Sequence, residues 1–60
     1  MNKAKWLDMF LREYLKRTGI TYGEGGGIND EAVEKYFESH SPTEAVSHEI
    51  IKYDLEEIGN

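Results

Sequence analysis

The sequence predicts an all-α fold, a small domain of three helices spanning about 2–18, 30–39 and 42–58. Three observations predict it. Apolar residues recur at helical spacing within each range, capping residues stand at the three starts, and a glycine-rich stretch separates the first helix from the other two. Because the chain has only 60 residues and one such break, we expect a single small helical domain over 1–60.

The first helix carries the strongest apolar face. Asn2 is a preferred N-cap residue, and Gly19 is a natural C-terminal stop. The face follows i, i+3, i+4, i+7 spacing and comprises Trp6, Leu7, Phe10, Leu11, Tyr14 and Leu15. We interpret it as the main contribution to the core, although an aromatic face flanked by basic residues is also typical of helices that bind membrane surfaces or partners.

A glycine-rich loop is expected between the first two helices. The run 23–27 contains four glycines, whose backbone is costly to order, so we expect a flexible loop that Ile20, Tyr22 and Ile28 pin to the core. The second helix follows over 30–39, with Asn29 or Asp30 as its cap.

The third helix has the clearest local start signal. Ser41, Pro42 and Glu44 provide an N-cap serine, proline at the first helical position and glutamate at the third, which together form a capping box. The pattern predicts a helix to Ile58, stopped by Gly59. Its apolar positions form two stripes: His48, Ile51, Leu55 and Ile58 on one, and Val46, Ile50 and Tyr53 on the other. Two stripes indicate a helix that is wedged between the others or shared with a second subunit.

Charge is divided unequally between the two halves of the chain. Residues 1–19 hold five basic and two acidic side chains, whereas residues 24–60 hold two basic and ten acidic ones. These halves give +3 and −8, which together make the formal net charge of −5. Some acids stabilise the first turns of their own helices. Six have no such local role and are the predicted partner-binding residues: Glu34, Glu38, Glu49, Asp54, Glu56 and Glu57.

Composition excludes several classes of protein. The chain has no cysteine, so disulfides and thiolate metal sites are ruled out. The longest apolar run, 9–11, is far shorter than the ~20 residues needed to span a membrane, and the N-terminal segment lacks an apolar signal core. We therefore expect a cytoplasmic protein that binds no membrane and carries no cofactor.

Phosphate and nucleic-acid binding are both disfavoured by the acidic second half. The glycines lack the lysine of a P-loop, and the next helix opens with Asp30 and Glu31, which repel phosphate. Helices two and three resemble a helix-turn-helix in arrangement, but the third carries five acids against Lys52 alone. We expect no direct nucleic-acid binding.

The histidines and serines offer two further chemistries. Glu44 and His48 stand at i, i+4, a spacing that can hold a metal ion, and His40 precedes them by one turn. Glu44 is already explained as the capping-box acid, so packing of the histidines is favoured and no metal site is assigned. Neighbouring helical residues point about 100° apart, so Ser39 and His40 are not expected to form an activated nucleophile. We expect no enzyme.

The resulting functional hypothesis is a small acidic interaction module. It would act as an inhibitor or adaptor by binding another protein with a basic surface. The main alternative is a homo-oligomeric helical assembly protein, which as a homodimer would share its apolar stripes. Two lesser alternatives are an acidic mimic of nucleic acid and a protein that binds metal through histidine and glutamate. No motif here is specific enough to identify a family.

Overall fold

The computed structural model describes residues 2–23 and 29–58. Within them lie three helices and no strand: α1 (Lys3–Thr18), α2 (Asp30–Ser39) and α3 (Pro42–Lys52). The predicted all-α three-helix fold is confirmed. Most of the predicted glycine-rich loop, residues 24–28, lies outside the described residues, as does Gly59. None of the three helices is long and apolar enough to cross a membrane.

Both ends of α1 are capped as predicted. The Asn2 side chain accepts a hydrogen bond from the backbone N–H of Lys5 at 2.8 Å. Gly19 adopts a left-handed conformation with φ of 73°, and its N–H donates to the Leu15 carbonyl at 2.8 Å. A Cβ at this position would lie only 2.5 Å from Cδ1 of Ile58. Glycine is therefore favoured here for both conformation and space.

The starts of α2 and α3 are also capped by side chains. Asn29 accepts from the N–H of Ala32 at 3.2 Å. At α3, the Ser41 hydroxyl accepts from the Glu44 N–H at 3.2 Å while the Ser41 N–H donates to the Glu44 carboxylate at 3.1 Å. The capping box is thus confirmed. Its hydrogen bonds lower the pKa of Glu44, first through the Ser41 backbone and then through the Ser41 side chain.

The core is built around the aromatic ladder of α1. Trp6, Phe10 and Tyr14 follow i, i+4 spacing, and Trp6 stacks on Phe10 with ring centroids 5.4 Å apart. The buried members of the core are Trp6, Phe10, Tyr14, Val33, Ala45, Val46 and Ile50. Burying a side chain such as Phe10 stabilises the fold by about 1.5–3 kcal/mol. Tyr22 packs edge-on against Phe10 at 5.0 Å, as predicted, whereas Ile20 is exposed and Ile28 lies outside the described residues.

The third helix ends six residues earlier than its sequence pattern predicts. Asp54 has a left-handed backbone with φ of 53°, which ends the helix after Lys52. The N–H of Leu55 donates to the Ile50 carbonyl at 2.9 Å, and the N–H of Asp54 donates to the Ile51 carbonyl at 3.3 Å. This pair of hydrogen bonds is the Schellman arrangement, which usually has glycine at the left-handed position. The apolar pattern beyond Lys52 therefore belongs to a segment that is not helical.

Replacing Asp54 with glycine is expected to stabilise the protein. A left-handed backbone costs free energy for any L-residue, and a negative side chain at a helix C-terminus interacts unfavourably with the helix dipole. We expect Asp54→Gly to raise the free energy of unfolding by about 1 kcal/mol, measured by urea denaturation. Asp54→Asn removes only the charge and should show a smaller gain. A glycine variant less stable than the wild type would contradict this account of the helix end.

Residues 55–58 fold back onto the end of α1 through Arg17. The Ile58 N–H donates to the Arg17 carbonyl at 2.7 Å, and Nε of Arg17 donates to the Glu57 carboxylate at 2.6 Å. One terminal nitrogen of the same guanidinium donates to the Ser47 hydroxyl at 3.0 Å and to the Thr43 carbonyl at 3.3 Å. With its side chain only 16% exposed, Arg17 joins α1, the start of α3 and the segment after α3.

Removal of the Arg17 guanidinium is expected to loosen that junction. Arg17→Ala should lower the free energy of unfolding by about 1.5 kcal/mol, because charged hydrogen bonds are lost at a partly exposed site. Arg17→Lys is the matched control, since lysine keeps the charge but not the planar guanidinium. Its free energy of unfolding should fall by about half as much as that of Arg17→Ala. Equal stability of all three proteins in urea denaturation would rule out this role.

Candidate interaction surface

Five of the six predicted partner-binding residues have exposed carboxylates. They are Glu34, Glu38, Asp54, Glu56 and Glu57. The sixth, Glu49, is only 2% exposed and therefore does not belong to an interaction surface, contrary to the sequence prediction. Glu49 stands three residues after Val46 and four before Tyr53, so it lies inside the apolar face of α3. That spacing was a signal for burial that the negative charge obscured.

The buried Glu49 carboxylate is held by tyrosines. The Tyr36 hydroxyl donates to its Oε2 at 2.8 Å. Burial, and then the hydrogen bond and charge of Glu49, raise the pKa of Tyr36 well above its ordinary value. Burial and the charge of Glu49 also raise the pKa of Tyr22 to about 12, and both effects raise the pKa of Tyr14. The cluster is a structural feature that ties α2 and the loop after α1 to α3.

Basic residues of α1 neutralise two of the exposed carboxylates. Lys3 pairs with Glu34 of α2, and Arg17 pairs with Glu57. The hydrogen bond to Glu34 raises the pKa of Lys3, and the charges of Glu34 and Asp30 add to the effect. The two differently charged halves of the sequence are therefore joined by ion pairs within one molecule. The Lys3–Glu34 pair is half exposed on both sides and contributes little stability, about 0–1 kcal/mol.

Three of the five exposed candidate residues make no ion pair within residues 2–23 and 29–58: Glu38, Asp54 and Glu56, hereafter the free carboxylates. Glu38 lies in the last turn of α2, which contains no basic residue. Asp54 directly follows the C-cap of α3. Both carboxylates thus stand at the negative ends of helix dipoles, where an acid is unfavourable for the local fold.

A small open cleft lies between α2 and the end of α3. It has a volume of about 260 Å³ and is lined by Asn29, Glu31, Ala32, Lys35, Tyr36 and Lys52. Lys35 and Lys52 are the two basic residues of the acidic half, and Glu31 opposes their charge. The cleft is below the roughly 300–1,000 Å³ of most ligand pockets. Its mixed charge gives no clear preference for an anion or a cation.

The two histidines lie side by side between α2 and α3. Their ring centroids are 4.5 Å apart, and the Tyr36 ring meets both, at 5.6 Å from His40 and 6.1 Å from His48. His40 is partly buried, but His48 is exposed. The histidines therefore pack against each other as expected, but the expected partial burial holds for His40 and not for His48. No group of three or more histidine, aspartate and glutamate side chains among the described residues is arranged to hold a metal ion.

Contrary to the sequence argument, Ser39 does contact the neighbouring His40. Its Oγ lies 2.7 Å from Nδ1 of the ring. The same hydroxyl lies 2.9 Å from the Lys35 carbonyl, and when it donates to that carbonyl, the serine oxygen accepts from the histidine. A base that activates a serine must instead accept the serine proton. In that tautomer this contact does not form an activated nucleophile.

Comparison with known proteins identifies no family for this chain. No protein-family model, curated protein or solved structure matches the chain. The candidate surface therefore rests on its own residues: three free carboxylates and two more that are paired with α1.

Proposed function

We propose that this protein is a small acidic interaction module that binds a partner protein with a basic surface, as an inhibitor or adaptor does. The free carboxylates Glu38, Asp54 and Glu56 make the contacts. Glu34 and Glu57 add to them, either by leaving their ion pairs with α1 or by binding the partner and α1 together. The observation that carries the proposal is the placement of exposed, unpaired acids where they weaken the helices that hold them.

This placement departs from the usual residue preferences at the ends of helices. Evolution commonly places lysine or arginine in a last helical turn and glycine at a left-handed C-terminal position. Here Glu38 and Asp54 stand at those two kinds of position. Residues that oppose local stability are expected mainly at functional sites. Acids anywhere on the surface would keep the protein soluble, so a need for solubility does not favour these positions.

A standard protein–protein interface would cover a sizeable part of this small protein. A standard interface buries about 800 Å² on each side, which is about a fifth of the accessible surface of 4239 Å². Electrostatic attraction of this kind speeds association and selects for basic partners more than it adds affinity. The proposal involves binding without catalysis, and a cytoplasmic location is part of it.

Affinity capture with charge-matched variants tests the proposal. The test variant is Glu38→Gln/Glu56→Gln, and the control is Asp8→Asn/Glu13→Gln, which removes two carboxylates from α1 instead. Both change the formal net charge from −5 to −3. Lysate proteins retained on each immobilised chain at low salt are quantified by mass spectrometry. We expect a basic partner that the wild type and control retain and the test variant loses. Equal retention by both variants, or no basic partner, would refute the proposal.

A second function, homo-oligomeric assembly, is favoured by one observation on α3. Ile51 is 79% exposed, on the face of the helix that points away from the core. Glu44 and Lys52 stand near the two ends of that face and carry opposite charges. Antiparallel pairing of two copies about a two-fold axis would place each Glu44 beside the partner copy and near its lysine.

Sedimentation distinguishes assembly from the interaction module. A dimer held by Ile51 should dissociate on dilution and be lost in Ile51→Lys, whereas Leu15→Lys, an equally large change at an exposed residue of α1, should leave it intact. A chain that sediments as a monomer from micromolar to near-millimolar concentration would exclude assembly and leave the interaction module unaffected.

A further inference from the structure

The fold brings together the only two histidines of the chain from two different elements. His40 caps the end of α2, and His48 lies in the middle of α3. Their rings meet with centroids 4.5 Å apart and planes inclined at 74°. They stand eight positions apart in sequence with a tight turn between them, so the pairing is created by the helix reversal. Neither ring has a role in the proposed contact with a basic partner.

The Ser39 hydroxyl can hold His40 in a tautomer suited to bind metal. When this hydroxyl donates to the Lys35 carbonyl, 2.9 Å away, its oxygen accepts from the protonated Nδ1 of His40, 2.7 Å away. In the neutral ring, Nε2 then has a free lone pair. Metal-binding histidines are typically oriented this way, by donation from the other ring nitrogen to a fixed acceptor.

The spacing of the rings fits two neighbouring ligands on one ion. With metal–nitrogen bonds of about 2.0 Å, each ring centre lies about 3.2 Å from the ion, so ligands at right angles have centres about 4.5 Å apart. Tetrahedral ligands would place them about 5.2 Å apart. The observed centroid distance of 4.5 Å is short enough for one ion to bridge the two rings. His48 is exposed, so its ring can turn a nitrogen toward such an ion.

Glu44 does not complete the site as a ligand. Its carboxylate is engaged by the Ser41 N–H in the capping box, and no third donor among the described residues converges on the two rings. It nevertheless stands four residues before His48, on the same face of α3. Its negative charge therefore favours a cation at this position, while water would fill the remaining coordination positions.

We propose that His40 and His48 form a two-histidine site for a divalent metal ion of tetragonal preference, Cu²⁺ or Ni²⁺. Imidazole nitrogens suit these ions, which also prefer ligands at right angles. An ion bound here links the end of α2 to α3 across the turn at Ser41. Because the unfolded chain does not hold the two rings together, binding stabilises the folded protein.

Thermal melting of the tag-free chain with Ni²⁺ tests the site. A concentration 100 times the dissociation constant should raise the Tm by roughly 10–20 °C. His48→Gln and His40→Gln should each weaken Ni²⁺ binding at least tenfold by calorimetry, whereas Glu56→Gln, which removes an exposed carboxylate elsewhere, should keep wild-type affinity. His48→Gln alters only an exposed side chain, so its metal-free Tm should equal that of the wild type.

Three results would overturn the proposal. The first is an unchanged Tm of the wild type at millimolar Ni²⁺ and Cu²⁺. The second is undiminished affinity in both histidine variants, which would assign binding to the surface acids. The third is a metal-bound dimer in sedimentation, which would place the ion between two copies. A one-to-one complex of a monomer, with both histidines required, supports the site.

Discussion

Tyr36→Phe is expected to lower the free energy of unfolding by about 2 kcal/mol, although it removes only one oxygen atom. That oxygen donates to the buried carboxylate of Glu49 at 2.8 Å. A hydrogen bond to a charged group contributes about 1.5–3 kcal/mol, and its loss leaves a charge 2% exposed with one donor fewer. In a chain of this size the Tm should fall by roughly 8–16 °C. Urea denaturation and thermal melting both measure the effect.

Two control variants assign the loss to this hydrogen bond. Tyr53→Phe removes the same atom from an exposed ring and should change stability by less than about 0.5 kcal/mol. In a Glu49→Leu background the acceptor is gone, so Tyr36→Phe should then cost little. An equal cost of Tyr36→Phe with and without Glu49 would show that the tyrosine acts through packing alone.

The same tyrosines make the protein sensitive to alkali. Burial and Glu49 raise the pKa of Tyr22 to about 12 and raise that of Tyr36 well above its ordinary 10. The unfolded chain loses these protons near pH 10, whereas the folded chain keeps them longer. Stability from both groups is therefore complete below pH 10 and is lost as pH rises toward 12. For Tyr22 the loss is roughly 2 kcal/mol after allowance for partial exposure.

Urea denaturation at pH 8, 9, 10, 11.5 and 12 checks the alkaline prediction. Lys3 also has a raised pKa, so the series is measured in a Lys3→Arg background, whose guanidinium stays charged throughout. We expect equal stability at pH 8 and 9 and a steep decline above pH 10. Adding Tyr36→Phe should flatten that decline. Stability that is constant to pH 12 would contradict the description of the Glu49 cluster.

Helix starts were predictable because the responsible interactions are local. Asn2, Asn29 and Ser41 each cap a helix through a residue three positions ahead, a relation that the sequence displays directly. The end of α3 was not predictable in this way. Aspartate rarely terminates a helix in a left-handed conformation, and the bond from Ile58 to Arg17 that holds the following segment spans 41 residues.

The candidate site was predicted in part. Composition indicated an acidic surface, and five of its six residues are exposed. The pairing of Glu34 with Lys3 and of Glu57 with Arg17 depends on tertiary packing, so no local pattern could separate these acids from the free carboxylates. The contact between His40 and His48 has the same origin, since it arises from the reversal between α2 and α3.

The free carboxylates connect the stability predictions to the proposed function. If Asp54 is retained for a partner, the glycine variant gains stability and loses affinity, a trade-off typical of functional residues. The ion pairs of Lys3 and Arg17 instead hold the two halves of the chain together. These two groups of acids should therefore respond differently to a bound partner.

Carbodiimide cross-linking of the complex with the captured partner is the most direct test of the interaction module. The reagent joins a carboxylate to a lysine only where the two are in contact, and mass spectrometry identifies the linked residues. The proposed function predicts links from Glu38, Asp54 or Glu56 to lysines of the partner. Links confined to Asp8 and Glu13 of α1, or to none of the protein's carboxylates, would contradict it.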